Sequence, residues 1–232
     1  GSEMCIRDRN MNGINGTGYL ENIIDIAISH DISYAIDVDG NLIGCGSGDY
    51  NAFLGSSGSG IVYNPIRVAA ISDAIMISTG TNNMAIIEQD SDVYVWGNNG
   101  SGALGIGSSA RDAVDTYISN DIDWIDFGGY SSYYLKEDGT LYSAGMNNYG
   151  QLGLGSTSNV SSFTQVKYED GSEVKAKQIF AGGRNLIFTA LDGKTYITGY
   201  NGYGQLSNGS TGNAIYPTVM RNIDNSELTD TI

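Results

Sequence analysis

The sequence predicts an all-β repetitive fold, a propeller or solenoid of about four four-stranded units. Three observations predict it. LYSAGMNNYGQLGLGS (141–156) returns as VYVWGNNGSGALGIGS from Val93, as TYITGYNGYGQLSNGS from Thr195 and, degraded, as LIGCGSGDYNAFLGSS from Leu42. The first glycine after each short apolar run, at Gly46, Gly97, Gly145 and Gly199, recurs at intervals of 51, 48 and 54 residues. Composition agrees: 33 Gly and 2 Pro without a three-residue period exclude collagen, and 41% hydrophobic residues exclude disorder.

The third repeat shows the order of elements. IDWIDFGG reads as a first strand, Tyr133 to Lys136 as a second and Leu141 to Ala144 as a third. A long loop holding YGQLGLG follows, then a fourth strand around Phe163 to Val166. Segments of four to six residues have the usual length of sheet strands. Between second and third strands stand Asp39-Gly40, Asp138-Gly139 and Asp192-Gly193, with Asp90-Ser91 in the second repeat. Asp-Gly between apolar runs signals a hairpin turn with positive φ at its centre. Asp39, Asp138 and Asp192 each precede their anchor glycine by seven residues, so every hairpin keeps one register. In the loops, Gly102, Gly150 and Gly204 each follow their anchor by five residues and read as bends. Gly128-Gly129 and Gly182-Gly183, with Gly80-Thr81 and Ser29-His30, end the first strands where backbones are expected to converge.

Four repeats span about 24–70, 71–120, 121–175 and 176–223, inside an array of 10–232. Asn10 to Ile23 reads as the tail of an earlier repeat. Asn222 to Ile232 matches the place where another would begin, by comparison with Lys167–Ile179. The expectation is a fragment of a longer array, open at both ends. Such an arc exposes apolar sheet faces and is expected to associate with itself. Residues 1–9 carry four charges and no strand pattern, and MCIRDR resembles a translated sequencing adapter.

Eleven basic against 26 acidic residues give a net charge of −15. That balance repels phosphate backbones and anionic membrane, so nucleic acid is not an expected partner. No apolar run reaches membrane-span length. Cys5 and Cys45 define no disulfide framework, and Cys45 aligns with Trp96, Ala144 and Thr198 as a small buried filler.

The double glycine, the Asp-Gly hairpin, an aromatic before the anchor glycine and N-x-x-G-Q-L-G-x-G together resemble the repeat of the regulator of chromosome condensation family. GGYSSYYLKEDGTLYSAGMNNYGQLGLGS (128–156) and GGRNLIFTALDGKTYITGYNGYGQLSNGS (182–210) carry the resemblance best. It implies a β-propeller of four-stranded antiparallel blades, seven to a closed ring, of which about four are present. The sequence departs from the family where a histidine often follows the double glycine: Ser131, Asn185 and Asn83 stand there, and His30 aligns with a glycine. The first repeat keeps only Phe53, Leu54 and Gly55 of its loop motif. These departures fit a diverged bacterial or environmental member.

Candidate chemistry is sparse. Asp37-Val38-Asp39-Gly40-Asn41 has the look of a calcium loop, but its twelfth position is Gly48 and hairpins flank it, so a turn is expected and no metal site. Leu191 to Tyr196 is only superficially like a sialidase Asp-box. Six arginines, two of them in residues 1–9, leave little for an arginine cluster. His30 has no nucleophile partner, so no catalytic residue and no cofactor is assigned. Gln151 and Gln205 are expected to bond loop backbone, and Tyr149 and Tyr203 to pack at blade edges. The reading is a non-catalytic protein-interaction or surface scaffold, extracellular or cell-surface rather than cytoplasmic, with a protein partner. The alternatives are a nucleotide-exchange factor for a small GTPase and a carbohydrate-binding propeller.

Overall fold

The computed structural model describes residues 18–47, 61–68, 71–109, 113–119, 121–222, 224 and 226–228. Cys5, residues 1–17 and the first repeat's Phe53, Leu54 and Gly55 lie outside the described residues. The described chain forms sixteen strands in four antiparallel four-stranded meanders, with strand order following chain order in each. Blade 1 holds β1 (Ile23–Ile28), β2 (Ile32–Asp37), β3 (Leu42–Ser47) and β4 (Ile61–Arg67). Blade 2 holds β5 (Ala74–Thr79), β6 (Asn83–Glu88), β7 (Val93–Gly97) and β8 (Ala113–Ser119). Blade 3 holds β9 (Ile122–Gly128), β10 (Ser131–Lys136), β11 (Leu141–Gly145) and β12 (Val160–Gln165). Blade 4 holds β13 (Ala176–Ala181), β14 (Asn185–Ala190), β15 (Thr195–Gly199) and β16 (Ala214–Val219). The fold is therefore all-β and of propeller type, and the four blades do not close a ring.

The hairpin between second and third strands is the same in all four blades. In blade 3 the Gly139 N–H donates to the Lys136 carbonyl at 2.8 Å and the Lys136 N–H to the Thr140 carbonyl at 3.0 Å. Gly40, Gly139 and Gly193 take φ of 76°, 80° and 83°, and Ser91 takes 70° in the second blade. Only this one residue is left-handed; the preceding aspartate keeps ordinary φ. The turn is thus a three-residue type with a glycine bulge, in place of a two-residue turn with two positive φ values. The aspartate closes it through its side chain. Asp138 Oδ1 accepts the Thr140 N–H, Asp192 Oδ1 the Lys194 N–H and Asp90 Oδ1 the Asp92 N–H. In blade 1 Asp37, not Asp39, does this, accepting the N–H groups of Asp39 and Asn41.

Each anchor glycine marks a bulge. The pairing of third with fourth strand shifts register at Gly46, Gly97, Gly145 and Gly199, which face Val62, Ala113, Val160 and Ala214. Their φ values, 132°, 103°, 108° and 103°, lie in the region that favours glycine.

The apolar core lies between blades. Tyr34, Ile36 and Leu42 of blade 1 join Ile77, Met84 and Ile86 of blade 2. Ala85, Ile87 and Val95 of blade 2 join Ile125, Phe127 and Tyr134 of blade 3. Tyr133, Leu135 and Leu141 of blade 3 join Ile179, Leu186 and Phe188 of blade 4. A second strand such as β10 is therefore covered on both faces, and its first five residues are all buried. The serines in it are satisfied by backbone: Ser131 Oγ donates to the Gly128 carbonyl at 3.0 Å and Ser132 Oγ to that of Ala103.

First strands meet on one side of the row. The Thr81 N–H donates to the Gly129 carbonyl at 3.2 Å, and the Thr81 carbonyl accepts the Ser29 hydroxyl at 2.9 Å. Two carboxylates also tie neighbours together. Asp25 Oδ2 accepts the Ile77 N–H at 2.8 Å, and Asp126 Oδ2 accepts the Ala181 N–H at 2.8 Å while Oδ1 faces the Ser78 hydroxyl at 3.2 Å. Burial pushes the Asp126 pKa up against these hydrogen bonds.

Candidate functional site

In blades 2, 3 and 4 the loop after the third strand is built on a buried asparagine two residues beyond the anchor glycine. Asn147 Oδ1 accepts the Leu152 N–H at 2.9 Å, and its Nδ2 donates to the carbonyls of Ser156 at 2.9 Å and Ser158 at 3.1 Å. Asn99 and Asn201 repeat this with the N–H groups of Leu104 and Leu206 and the carbonyls of Ser108 and Ser210. Gln151 and Gln205 do bond backbone, each Oε1 accepting the N–H of Tyr149 or Tyr203. The role of the asparagines was missed from sequence, although their constant offset of two residues was there to be read.

These loops are the blade-to-blade fasteners. The loop of blade 2 lies on β12, where a Cβ at Gly102 would stand 2.7 Å from Ser161 Cα. The loop of blade 3 lies on β16, where a Cβ at Gly150 would stand 2.8 Å from Ile215 Cγ2. Thr198 of blade 4 and Tyr133 of blade 3 both donate to the Gln151 carbonyl, at 2.8 and 3.1 Å. Gly204, by contrast, has open space around it, and the Tyr203 ring is 88% exposed. Packing at a blade edge thus holds for half-buried Tyr149 but not for Tyr203, because no described blade covers that side.

The same loop rim gathers aromatics on blades 3 and 4. Arg184 opens β14 next to the double glycine, and its guanidinium carbon stands 5.0 Å from the Tyr149 ring centre and 5.5 Å from that of Tyr200. Tyr149 meets Tyr200 edge to face at 5.0 Å, and Tyr200 meets Tyr203 at 5.9 Å. Gly202 makes this possible, since a Cβ there would run into the Tyr200 phenol. Tyr130, 40% exposed, occupies in blade 3 the position of Arg184. The corresponding positions of blade 2 hold Asn82, Asn98 and Ser101, so the aromatic rim does not extend onto that blade. Among the described residues Arg184 forms no ion pair.

The other residues singled out from sequence lie elsewhere. His30 is exposed, with Nδ1 3.0 Å from Asp31 Oδ2. Asp138 faces Lys175 and Thr140, whose hydrogen bonds hold its carboxyl well below the usual range. Cys45 is a half-buried free thiol rather than a buried filler; no described blade packs on its side. Among the described residues no group of three His, Cys, Asp or Glu side chains could hold a metal ion, and no helix is long and apolar enough to cross a membrane.

Residues 138–188 match the family model of the regulator of chromosome condensation (RCC1) repeat. Three solved structures share the fold. Human WBSCR16 superposes with a TM-score of 0.72 at 18% identity, over 89% of this chain and 56% of that one. Prp20p from Saccharomyces cerevisiae, described with its binding to Gsp1p and histones, superposes with a TM-score of 0.75 at 20% identity, over 89% and 52%. Yeast RCC1 (Prp20) in complex with Kap60 gives 0.77 at 21%, over 89% and 50%. The chain spans about half the length of these proteins. Residues 138–188 thus match one RCC1 repeat, and the described chain around them shares the propeller-blade fold of these structures.

Proposed function

We propose that this chain is a non-catalytic, protein-binding propeller segment whose partner sits on the loop rim of blades 3 and 4. The observation that carries the reading is the Arg184–Tyr149–Tyr200–Tyr203 cluster. An arginine with no carboxylate partner among the described residues, in a chain of net charge −15, stands between two tyrosine rings. Arginine and tyrosine are the side chains that most often dominate interface energetics. Their rings are held by loops whose backbone is stapled by Asn147 and Asn201, so little order has to be gained on binding. The chemistry fits a carboxylate-bearing segment with an apolar or aromatic neighbour: the carboxylate pairs with Arg184 and the neighbour lies on Tyr203. The ability of Prp20p to bind Gsp1p and histones, at 20% identity, adds the precedent that blades of this fold carry protein partners.

A random peptide library panned against the purified chain tests this. Enriched peptides should carry Asp or Glu beside an apolar residue, and Arg184→Ala or Tyr203→Ala should each weaken them about tenfold or more, the range of interface hot spots. No enrichment, or peptides indifferent to both substitutions, would contradict it.

A further inference from the structure

The segments that lead from one blade to the next are unequal. Residues 68–73 join blades 1 and 2, and residues 166–175 join blades 3 and 4. Blades 2 and 3 are joined by residues 120–121 alone, of which Asn120 lies outside the described residues. The two longer connectors plug the seam that they cross. Val68 and Ile71 are buried in the cluster shared by blades 1 and 2, and Val166 and Val174 in the cluster shared by blades 3 and 4. Tyr168 packs on the latter cluster, with its ring 5.0 Å from that of Tyr196.

The seam between blades 2 and 3 has the same frame without the plug. Phe188 stacks on its strand partner Tyr196 at 5.3 Å and 13°, and Tyr134 stacks on its strand partner Tyr142 at 4.8 Å and 15°. Tyr168 caps the first pair, whereas a connector of Asn120 and Asp121 brings no ring to the second. What remains is a groove of about 350 Å³ lined by Ile106, Thr116, Ile118, Tyr134, Ser162 and Phe163. That volume lies in the lower range of binding sites. Ile106, Ile118, Tyr142 and Phe163 stay only part-buried around it. The groove lies inside the row, at a junction between two described blades.

We propose that this groove docks an extended segment of a partner protein carrying an aromatic and a β-branched side chain, seated as Val166, Tyr168 and Val174 are at the next junction. The chain thus supplies its own picture of the occupant, since two of its three seams are filled by such a segment. Basic flanks suit the mouth of the groove. Burial, and after it Asp92, Asp121 and Asp90, pushes the Tyr117 phenol up there, and Lys136 already pairs with Asp121. This site is separate from the rim around Arg184 and does not rest on it.

A peptide of residues 166–175, closed head to tail, tests the proposal by isothermal titration. Its ends lie side by side in the protein, where the Val174 N–H donates to the Val166 carbonyl at 3.4 Å, so closure keeps the shape. Glu169→Gln, Asp170→Asn and Glu173→Gln in the peptide remove its repulsion from the acidic mouth. It should bind one to one. Ile118→Arg in the chain, and Tyr168→Ala in the peptide, should each weaken binding about tenfold or more, while Arg184→Ala in the chain leaves it unchanged. Ser162→Trp, on the other wall, is a second blocking variant should Ile118→Arg alter the melting curve. No saturable binding would mean that the groove is filled from within the chain or needs no cover, and would overturn the proposal. Binding that survives both wall variants, ignores the peptide's tyrosine or is lost with Arg184 would overturn it as well.

Discussion

Gly145→Ala is expected to lower the stability of the chain by about 3–5 kcal/mol in urea unfolding, the combined cost of a forced left-handed φ and of overpacking. Gly145 sits at φ 108°, at the bulge where β11 parts from β12. A Cβ there would penetrate the Tyr130 carbonyl oxygen and stand 2.8 Å from Ser131 Cα and 3.1 Å from Ala103 Cα. All three are backbone atoms, which cannot swing aside as a side chain would. Gly171→Ala separates the two causes. Gly171 also has positive φ, 84°, but nothing lies within 4 Å of its added Cβ. That substitution should cost only about 1 kcal/mol, the strain alone. Equal losses for the two variants would mean that the anchor glycine is not the tight point of the blade.

Asn147→Ala is expected to cost about 3–4 kcal/mol. The amide is fully buried and replaces secondary structure for the loop, accepting from Leu152 and donating to Ser156 and Ser158. Truncation leaves one N–H and two carbonyls without the side chain that served them, and each buried orphan costs about 1–3 kcal/mol before relaxation. Asn147→Asp should be at least as damaging at neutral pH, because a carboxylate cannot donate to either carbonyl. Its deficit should shrink as pH falls and the carboxyl regains one donor. Urea midpoints measured at pH 7 and pH 4 check both the size and this sign; a pH-independent deficit would contradict the staple.

Much of the blade was legible in the sequence, for reasons tied to particular residues. The Asp-Gly pairs at 138–139 and 192–193 announce hairpins because few residue pairs tolerate such a turn. The anchor glycines announce the third strand's end because only glycine holds φ near 105° without strain. What stayed hidden is what depends on the neighbouring blade. Interior strands β6 and β10 are buried along both faces, so the alternation that normally separates core from solvent face is absent from them. It is visible in β1 and β14, each with one face on which no described blade packs. The buried serines of β10 and the loop asparagines read as polar surface until their carbonyl partners are seen. The aromatic rim was also invisible, since Arg184, Tyr149, Tyr200 and Tyr203 come from two blades.

The central claim is that this fold is held together between blades, like a row of repeats each stabilised by its neighbours. Amide hydrogen exchange of the wild-type chain, diluted until it sediments as a monomer, tests it most directly. β10 and β14 occupy the same place in their sheets, each hydrogen-bonded on both sides. They differ in that, among the described residues, blade 3 has two neighbouring blades and blade 4 one. The account predicts that peptides over residues 131–136 exchange at least about tenfold more slowly than peptides over 185–190, because opening an end blade breaks one interface and opening an interior blade breaks two. Equal protection of the two strands would mean that each blade is held by its own sheet, and would contradict it.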